Sequence, residues 1–219
     1  GILTVSGIAS IANYESALRS ITYYSTSGDP TNISSTRIIT WIVTDADSDG
    51  LGPENSNSST SSINITAQAT NPIVTAGETI EYTENGSAEI IDNSITITDD
   101  DDFELSGATV TISNGLTTGD VLALTIQNGI SGSYDSLTGI LMINGIGSLS
   151  NYEIALRSVM YYSTSKDPTL TSNTRTITWV VTDANSDGLG ATNSPSVTSS
   201  IILIPSSDAP LFTAGGTLN

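Results

Sequence analysis

The chain repeats itself. The stretch GILTVSGIASIANYESALRSITYYSTSGDP from Gly1 returns as GILMINGIGSLSNYEIALRSVMYYSTSKDP from Gly139, and TRIITWIVTDADSDGLG returns as TRTITWVVTDANSDGLG. The offset stays at roughly 138 residues, without a gap, as far as Thr79 and Thr217, and about three-fifths of the paired positions are identical. Whatever this sequence folds into must therefore place the same elements twice. Residues 1–70 read as the later half of one unit, 71–208 as a complete unit, and 209–219 as the start of the next unit or a linker. Asn71-Pro72 and Asp208-Ala209-Pro210 follow strand-like runs at Ile63–Ile65 and Ile201–Ile204, as linkers do. The opening strands of the first unit are not in this stretch. Two readings of that stay open: the chain starts inside a repeat, or another chain supplies the missing strands by strand addition.

Ser and Thr make up roughly 30% of the residues, which favours strands with polar outer faces. Ile177, Trp179 and Val181 alternate with Thr178, Val180 and Thr182, and Ile39, Trp41 and Val43 do the same one repeat earlier. Short runs at Ser94–Thr98, Ala108–Ile112, Val121–Ile126 and Gly139–Ile143 are separated by Gly, Asn and Asp. One helix interrupts the strands. Ser150-Asn151-Tyr152-Glu153 has the form of a capping box, and Tyr152, Ala155, Leu156 and Val159 then share a face. The prediction is an all-β chain of tandem β-sandwich units, each with one short inserted helix.

The charge narrows the partners. Twenty-three acids against 5 bases give a formal net charge of −18, so nucleic acid is excluded as a partner, because phosphate contacts need clustered Lys and Arg. Without Cys or His the chain offers no ordinary zinc, haem or iron–sulfur site, no disulfide, no thiol nucleophile and no Ser-His-Asp triad. No apolar run reaches the ~18 residues of a membrane span, so membrane insertion is not expected, and any signal or anchor is expected outside this stretch.

The acids are also unevenly placed. About twelve fall between Asn71 and Thr138, where there is no Lys or Arg. Asp99, Asp100, Asp101 and Asp102 stand together after the strand Ser94–Thr98, with Glu104 close behind. Adjacent carboxylates repel unless protonated or bound to a cation, and a hard divalent ion with oxygen ligands, Ca2+ above all, suits them. A second pattern is Asp45-Ala46-Asp47-Ser48-Asp49-Gly50, echoed by Asp183-Ala184-Asn185-Ser186-Asp187-Gly188. Oxygen ligands at alternate positions before a Gly match the opening of an EF-hand loop, but the closing Glu is missing and strands flank it. It is a calcium turn or an Asx-rich loop.

On these residues a resemblance can be named. Pro72-Ile73-Val74, Tyr82-Thr83-Glu84-Asn85-Gly86, the Asp-x-Asp strand end at Asp99 and Asp101, and Asp208-Ala209-Pro210 resemble a cadherin-type repeat. More closely, the unit is similar to the cadherin-like, Ig-like tandem repeats of giant extracellular RTX-type bacterial adhesins. The resemblance implies that Glu84, Asp99 and Asp101 bind calcium at the junction preceding the complete unit, and that Asp208 serves the next. It departs from the family in two places. The first linker, Ala67–Asn71, has no acid, and no mid-domain Leu-Asp-Arg-Glu pattern is present.

Other residues read as structural. Trp41 and Trp179 are expected in cores, one of each Tyr23-Tyr24 and Tyr161-Tyr162 pair is expected at the surface, and Arg19, Arg37, Arg157 and Arg175 are expected to pair with acids. Asp29-Pro30 and Asp167-Pro168 read as turns, and the sequons at Asn32, Asn57, Asn64 and Asn85 as products of composition. No enzyme is expected. The expected function is that of a calcium-binding structural module in an extracellular, cell-surface bacterial adhesin, with neighbouring repeats of the same chain as partners. A polysaccharide-binding module and a strand-exchanging filament or surface-layer subunit, partnered by same-type chains, are the alternatives.

Overall fold

The computed structural model describes residues 1–186, 188–207 and 215. The chain divides into two compact units, Gly1–Ala67 and Gln68–Asn219. In the first, helix α1 (Ile11–Arg19) precedes an antiparallel pair, β1 (Thr36–Trp41) and β2 (Ser59–Asn64). The second holds β3 (Ile73–Thr75), β4 (Thr79–Thr83), β5 (Glu89–Ile90), β6 (Thr96–Thr98), β7 (Glu104–Asn114), β8 (Asp120–Ala123), β9 (Ser131–Asp135), β10 (Ile140–Ser148), α2 (Leu149–Arg157), β11 (Met160–Ser163), β12 (Thr174–Asp183) and β13 (Val197–Ile204).

Six strands of the second unit form one sheet in the order β4-β13-β12-β7-β10-β9, and the rest form a three-stranded sheet β5-β11-β8 and a pair β3-β6. The result is the expected sandwich with one short helix. Alternation along β12 aims Ile177, Trp179 and Val181 inward, as its period of two requires. Tyr82 and Tyr161 meet edge to face with centroids 5.0 Å apart at 87°. The join of β4 to β13 is parallel, pairing Thr79–Thr83 with Ser200–Ile204.

The helix starts earlier than its sequence suggests. Ser148 is the N-cap and its hydroxyl accepts from the Asn151 N–H, so Ser150 lies inside α2. Glu153 does not close a capping box. Its carboxylate accepts from the Ile97 N–H at 2.8 Å and lies 3.5 Å from Arg157, a long-range tie to β6 that local pattern cannot reveal.

Two buried acids organise this unit. Asp92 is fully buried and accepts from the Gly77 and Glu78 N–H groups, the Ser94 N–H, and the Ser94 and Ser199 hydroxyls. Burial alone pushes its carboxyl up, but these bonds outweigh that and hold it at about 2. Asp120 faces Arg175 at 2.6 Å with both side chains wholly out of solvent. Asp120 also accepts from the Tyr161 hydroxyl at 2.7 Å, and Arg175 donates to the Pro168, Ser172 and Thr174 carbonyls. The remaining arginines pair more weakly or differently. Arg19 lies 4.0 Å from exposed Glu15, whereas among the described residues Arg37 forms no ion pair and donates to the Pro30, Ser34 and Thr36 carbonyls.

Two outcomes follow. Asp120→Ala leaves a buried guanidinium unpaired and is expected to cost about 3–5 kcal/mol in urea unfolding, with much of it recovered by the apolar pair Asp120→Leu/Arg175→Met. Asp92 is ionised in the fold to a lower pH than in the unfolded chain, so its contribution is complete above about pH 4 and lost as pH falls toward 2. Stability measured from pH 5 to 2 should therefore fall less steeply in Asp92→Asn, which starts from a lower plateau.

Candidate metal site

The end of β6 delivers the acid run into a turn that Asp99 itself closes. Its Oδ1 accepts from the Asp101 and Asp102 N–H groups at 3.3 Å each. The turn sends Asp100 outward and folds its neighbours in. Asp101 and Asp102 are each only 2% exposed, Asp99 is half-buried, and one ligand oxygen from each of the three lies within 4.8 Å of the others.

Neighbouring segments hold the cluster. Thr70 donates its N–H and its hydroxyl to Asp101 at 2.8 and 2.5 Å. Ser186 donates its N–H to Asp102 at 2.7 Å, and its hydroxyl reaches the same oxygen. Thr192 joins the two sides: its hydroxyl contacts the Thr70 carbonyl at 3.0 Å and the Asp183 carboxylate at 2.6 Å. One atom has no partner. Asp99 Oδ2 is buried and accepts no hydrogen bond.

The electrostatics follow from that geometry. Burial pushes the Asp99 carboxyl up to about 6, and the hydrogen bond and negative charge of Asp101 add to the effect. Asp101 goes the other way. Burial opposes its ionisation, but the bonds from Thr70 outweigh it and hold the carboxyl below the ordinary range. An orphaned carboxylate oxygen beside two further buried acids, in a stretch without bases, is a donor set that fits a hard divalent cation.

The other candidate residues are dispersed. Glu84 is buried at the opposite end of the unit, where its N–H meets the Ile204 carbonyl and its carboxylate accepts from the Ser206 N–H at 2.9 Å. The length of β12, about 30 Å at ~3.3 Å per residue, separates the two ends. The expectation that Glu84 shares a junction with Asp99 and Asp101 is therefore corrected: strand direction puts them at different ends. Asp187 and Asp208 lie outside the described residues.

The two Asx loops close on their own backbone. Asp183 accepts from the Asn185 and Thr192 N–H groups, and Asn185 from the Gly190 N–H. In the first unit Asp45 accepts from the Asp47 and Glu54 N–H groups, Asp47 from Gly52 and Asp49 from Leu51. Asp47 and Asn185 both take positive φ, 53° and 57°, which Asp and Asn tolerate. The second-unit loop reaches the acid cluster through Ser186 and Thr192.

Thr70 was not legible as part of the site. The one available signal was the repeat, because Thr70 occupies the position that Asp208 holds one unit later.

No family model matches the chain. Over 111 residues, 48% of its length, it is 31% identical to halomucin of Haloquadratum walsbyi, of which it spans 1%. Similar solved structures include a protocadherin gammaB7 EC3-6 cis-dimer (TM-score 0.37, 12% identity, 79% of this chain and 34% of that one). The human desmocollin-1 ectodomain (0.28, 14%, 81% and 29%) and the protocadherin gammaB4 extracellular domain (0.33, 14%, 77% and 22%) are further examples. The all-β sandwich is established by the strand pairing itself. Among the described residues no helix is long and apolar enough to cross a membrane.

Proposed function

We propose that the chain is a calcium-binding structural module of a large extracellular surface adhesin of bacterial type, in which bound ions stiffen the junctions between repeats. The observation that carries this reading is the buried, unpartnered Oδ2 of Asp99 beside buried Asp101 and Asp102. Three carboxylates gathered out of water without a base repel one another, and a divalent cation with oxygen ligands relieves both that repulsion and the orphaned oxygen.

Asp99, Asp101 and Asp102 would hold the ion, and the ion supplies charge neutralisation there. The residues of the chain supply the rest. Thr70, two residues after the boundary at Gln68, is bonded to Asp101, and Thr192 anchors it to the end of β12. Fixing the carboxylates therefore fixes the segment that enters the unit. Weak sites of ~10⁻⁴–10⁻³ M fill in extracellular media and not in cytosol, which supports an outside location. Glu84, at the far end beside Ser206, would serve the following junction.

Calorimetry in EDTA and in millimolar calcium tests this. At about one hundred times Kd an ion adds roughly 2.7 kcal/mol, so the second unit should melt about 5–10 °C higher with calcium. Asp101→Asn should remove most of the gain, while exposed Glu89→Gln keeps it. A melting temperature that calcium leaves unchanged would sink the reading.

A further inference from the structure

Four Asn-Gly pairs occur in the chain, all in the second unit: Asn85-Gly86, Asn114-Gly115, Asn128-Gly129 and Asn144-Gly145. Asn is a thermolabile residue, and a following Gly has no Cβ to shield its backbone nitrogen. That nitrogen can attack the Asn side-chain carbonyl where it is not already donating and where the peptide has room to turn. The fold therefore separates four chemically similar pairs by geometry.

Three of them are held. The Gly86 N–H donates to the Thr83 carbonyl at 2.8 Å, and a Cβ on Gly86 would stand 2.7 Å from the same oxygen. Asn114 is paired with Thr176 across β7 and β12, and a Cβ on Gly115 would stand 2.2 Å from the Thr174 carbonyl oxygen. Asn144 is paired on both sides, with Gly107 of β7 and Ser131 of β9. A Cβ on Gly145 would stand 2.5 Å from the Gly129 carbonyl oxygen.

Asn128 and Gly129 are placed differently. They are the two central residues of a turn closed by Gln127 and Ile130, with the Ile130 N–H on the Gln127 carbonyl at 2.8 Å and the Gln127 N–H on the Ile130 carbonyl at 3.2 Å. Their φ values of 51° and 77° are the positive pair of a type I′ turn, which prefers Asn-Gly. Both residues are exposed, and nothing lies within 4 Å of where a Gly129 Cβ would stand. Among the described residues neither the Gly129 N–H nor the Asn128 side chain is hydrogen-bonded.

We propose that Asn128 is a self-modification site, at which the folded chain deamidates ahead of its other Asn-Gly pairs. The Gly129 nitrogen gives up its proton to solvent base and attacks Asn128 Cγ. The new N–Cγ bond closes a five-membered imide, the Cγ–Nδ2 bond breaks, and Nδ2 takes up a proton and leaves as ammonia. Water then opens the ring. Addition at Cγ leaves aspartate, and addition at the main-chain carbonyl carbon leaves isoaspartate, with the chain rerouted through Cβ and Cγ. One water enters, one ammonia departs, and nothing is oxidised or reduced.

The two products differ in what they do to the fold. Asp-Gly suits the same turn. Isoaspartate adds one carbon to the main chain of a turn without slack. The Gly129 carbonyl abuts Gly145, and Ile130 is fully buried with its Cδ1 3.3 Å from where a Gly147 Cβ would stand. The turn leads directly into β9, the last strand of the six-stranded sheet, which has a partner in that sheet on one side only. Isoaspartate thus loosens an edge strand, while either product adds a negative charge. None of this depends on calcium.

Peptide mapping of the full chain aged at pH 6 and at pH 9 tests the proposal. The folded protein should convert Asn128 at least tenfold faster than Asn85, Asn114 or Asn144, and faster at pH 9, where more of the attacking nitrogen is deprotonated. In urea the four pairs should react at similar rates, because the geometry that separates them is gone. In the isoaspartate fraction the amides of β9 should lose at least tenfold of their protection from hydrogen exchange, whereas Asn128→Asp should keep it. Equal rates at the four pairs in the folded protein, or faster conversion at one of the other three, would overturn the proposal. An isoaspartate fraction with β9 fully protected would overturn its account of the turn.

Discussion

The fold of the complete unit turns on one buried ion pair that spans it. Asp120 stands on β8 and Arg175 on β12, 55 positions apart, and they meet at 2.6 Å with neither side chain reaching water. Desolvating two charges is costly, and the site recovers that cost through many further bonds. Tyr161 donates to Asp120, the Tyr134 hydroxyl reaches the Asp120 carbonyl at 3.0 Å, and three carbonyls take up the remaining guanidinium protons. Burial pushes the Tyr161 and Tyr134 hydroxyls up, Tyr134 to about 12, and the negative charge of Asp120 adds to both, so each remains a donor at any physiological pH. The pair also joins the earlier half of the repeat to the later one.

The −18 charge divides along the same lines. Some acids are fully answered inside the protein, Asp92 by five hydrogen bonds and Asp120 by Arg175. The Asx loops answer theirs with backbone N–H groups. Asp99, Asp101 and Asp102 differ in kind. Asp101 and Asp102 are buried and Asp99 half-buried, they are bonded mostly on the oxygens facing Thr70 and Ser186, and one oxygen is left over. Acid count alone did not separate these classes. What separates them is whether donors in the protein saturate the carboxylate.

Much of the fold was legible because its signals are local or periodic. The alternation around Trp179 and the repeat gave the strands and the helix, and the Asp-x-Asp strand end gave the heart of the acid cluster. Misplaced features depended on contacts distant in sequence. Glu153 looked like a capping residue from its spacing to Ser150, but the Ile97 N–H and Arg157 claim it. The parallel join of β4 to β13 spans some 120 residues, and with it the placement of Glu84 at the far end. Arg37 and Arg175 have nearly the same sequence context, yet among the described residues only Arg175 meets an acid, Asp120, which stands on a strand that no local pattern ties to it.

The repeat makes the two ends of a unit comparable, and the comparison is uneven. Thr70 at the entry to the complete unit gives Asp101 a hydroxyl and an N–H. One repeat later the same position is Asp208, which has no hydroxyl to give and brings another negative charge. The threonine lowers the carboxyl of Asp101 by donating to it. An aspartate in place of Thr70 would add a further negative charge beside such acids. If the cluster holds calcium as proposed, that one side chain would make the ion more needed at an Asp-type entry than at a Thr-type one.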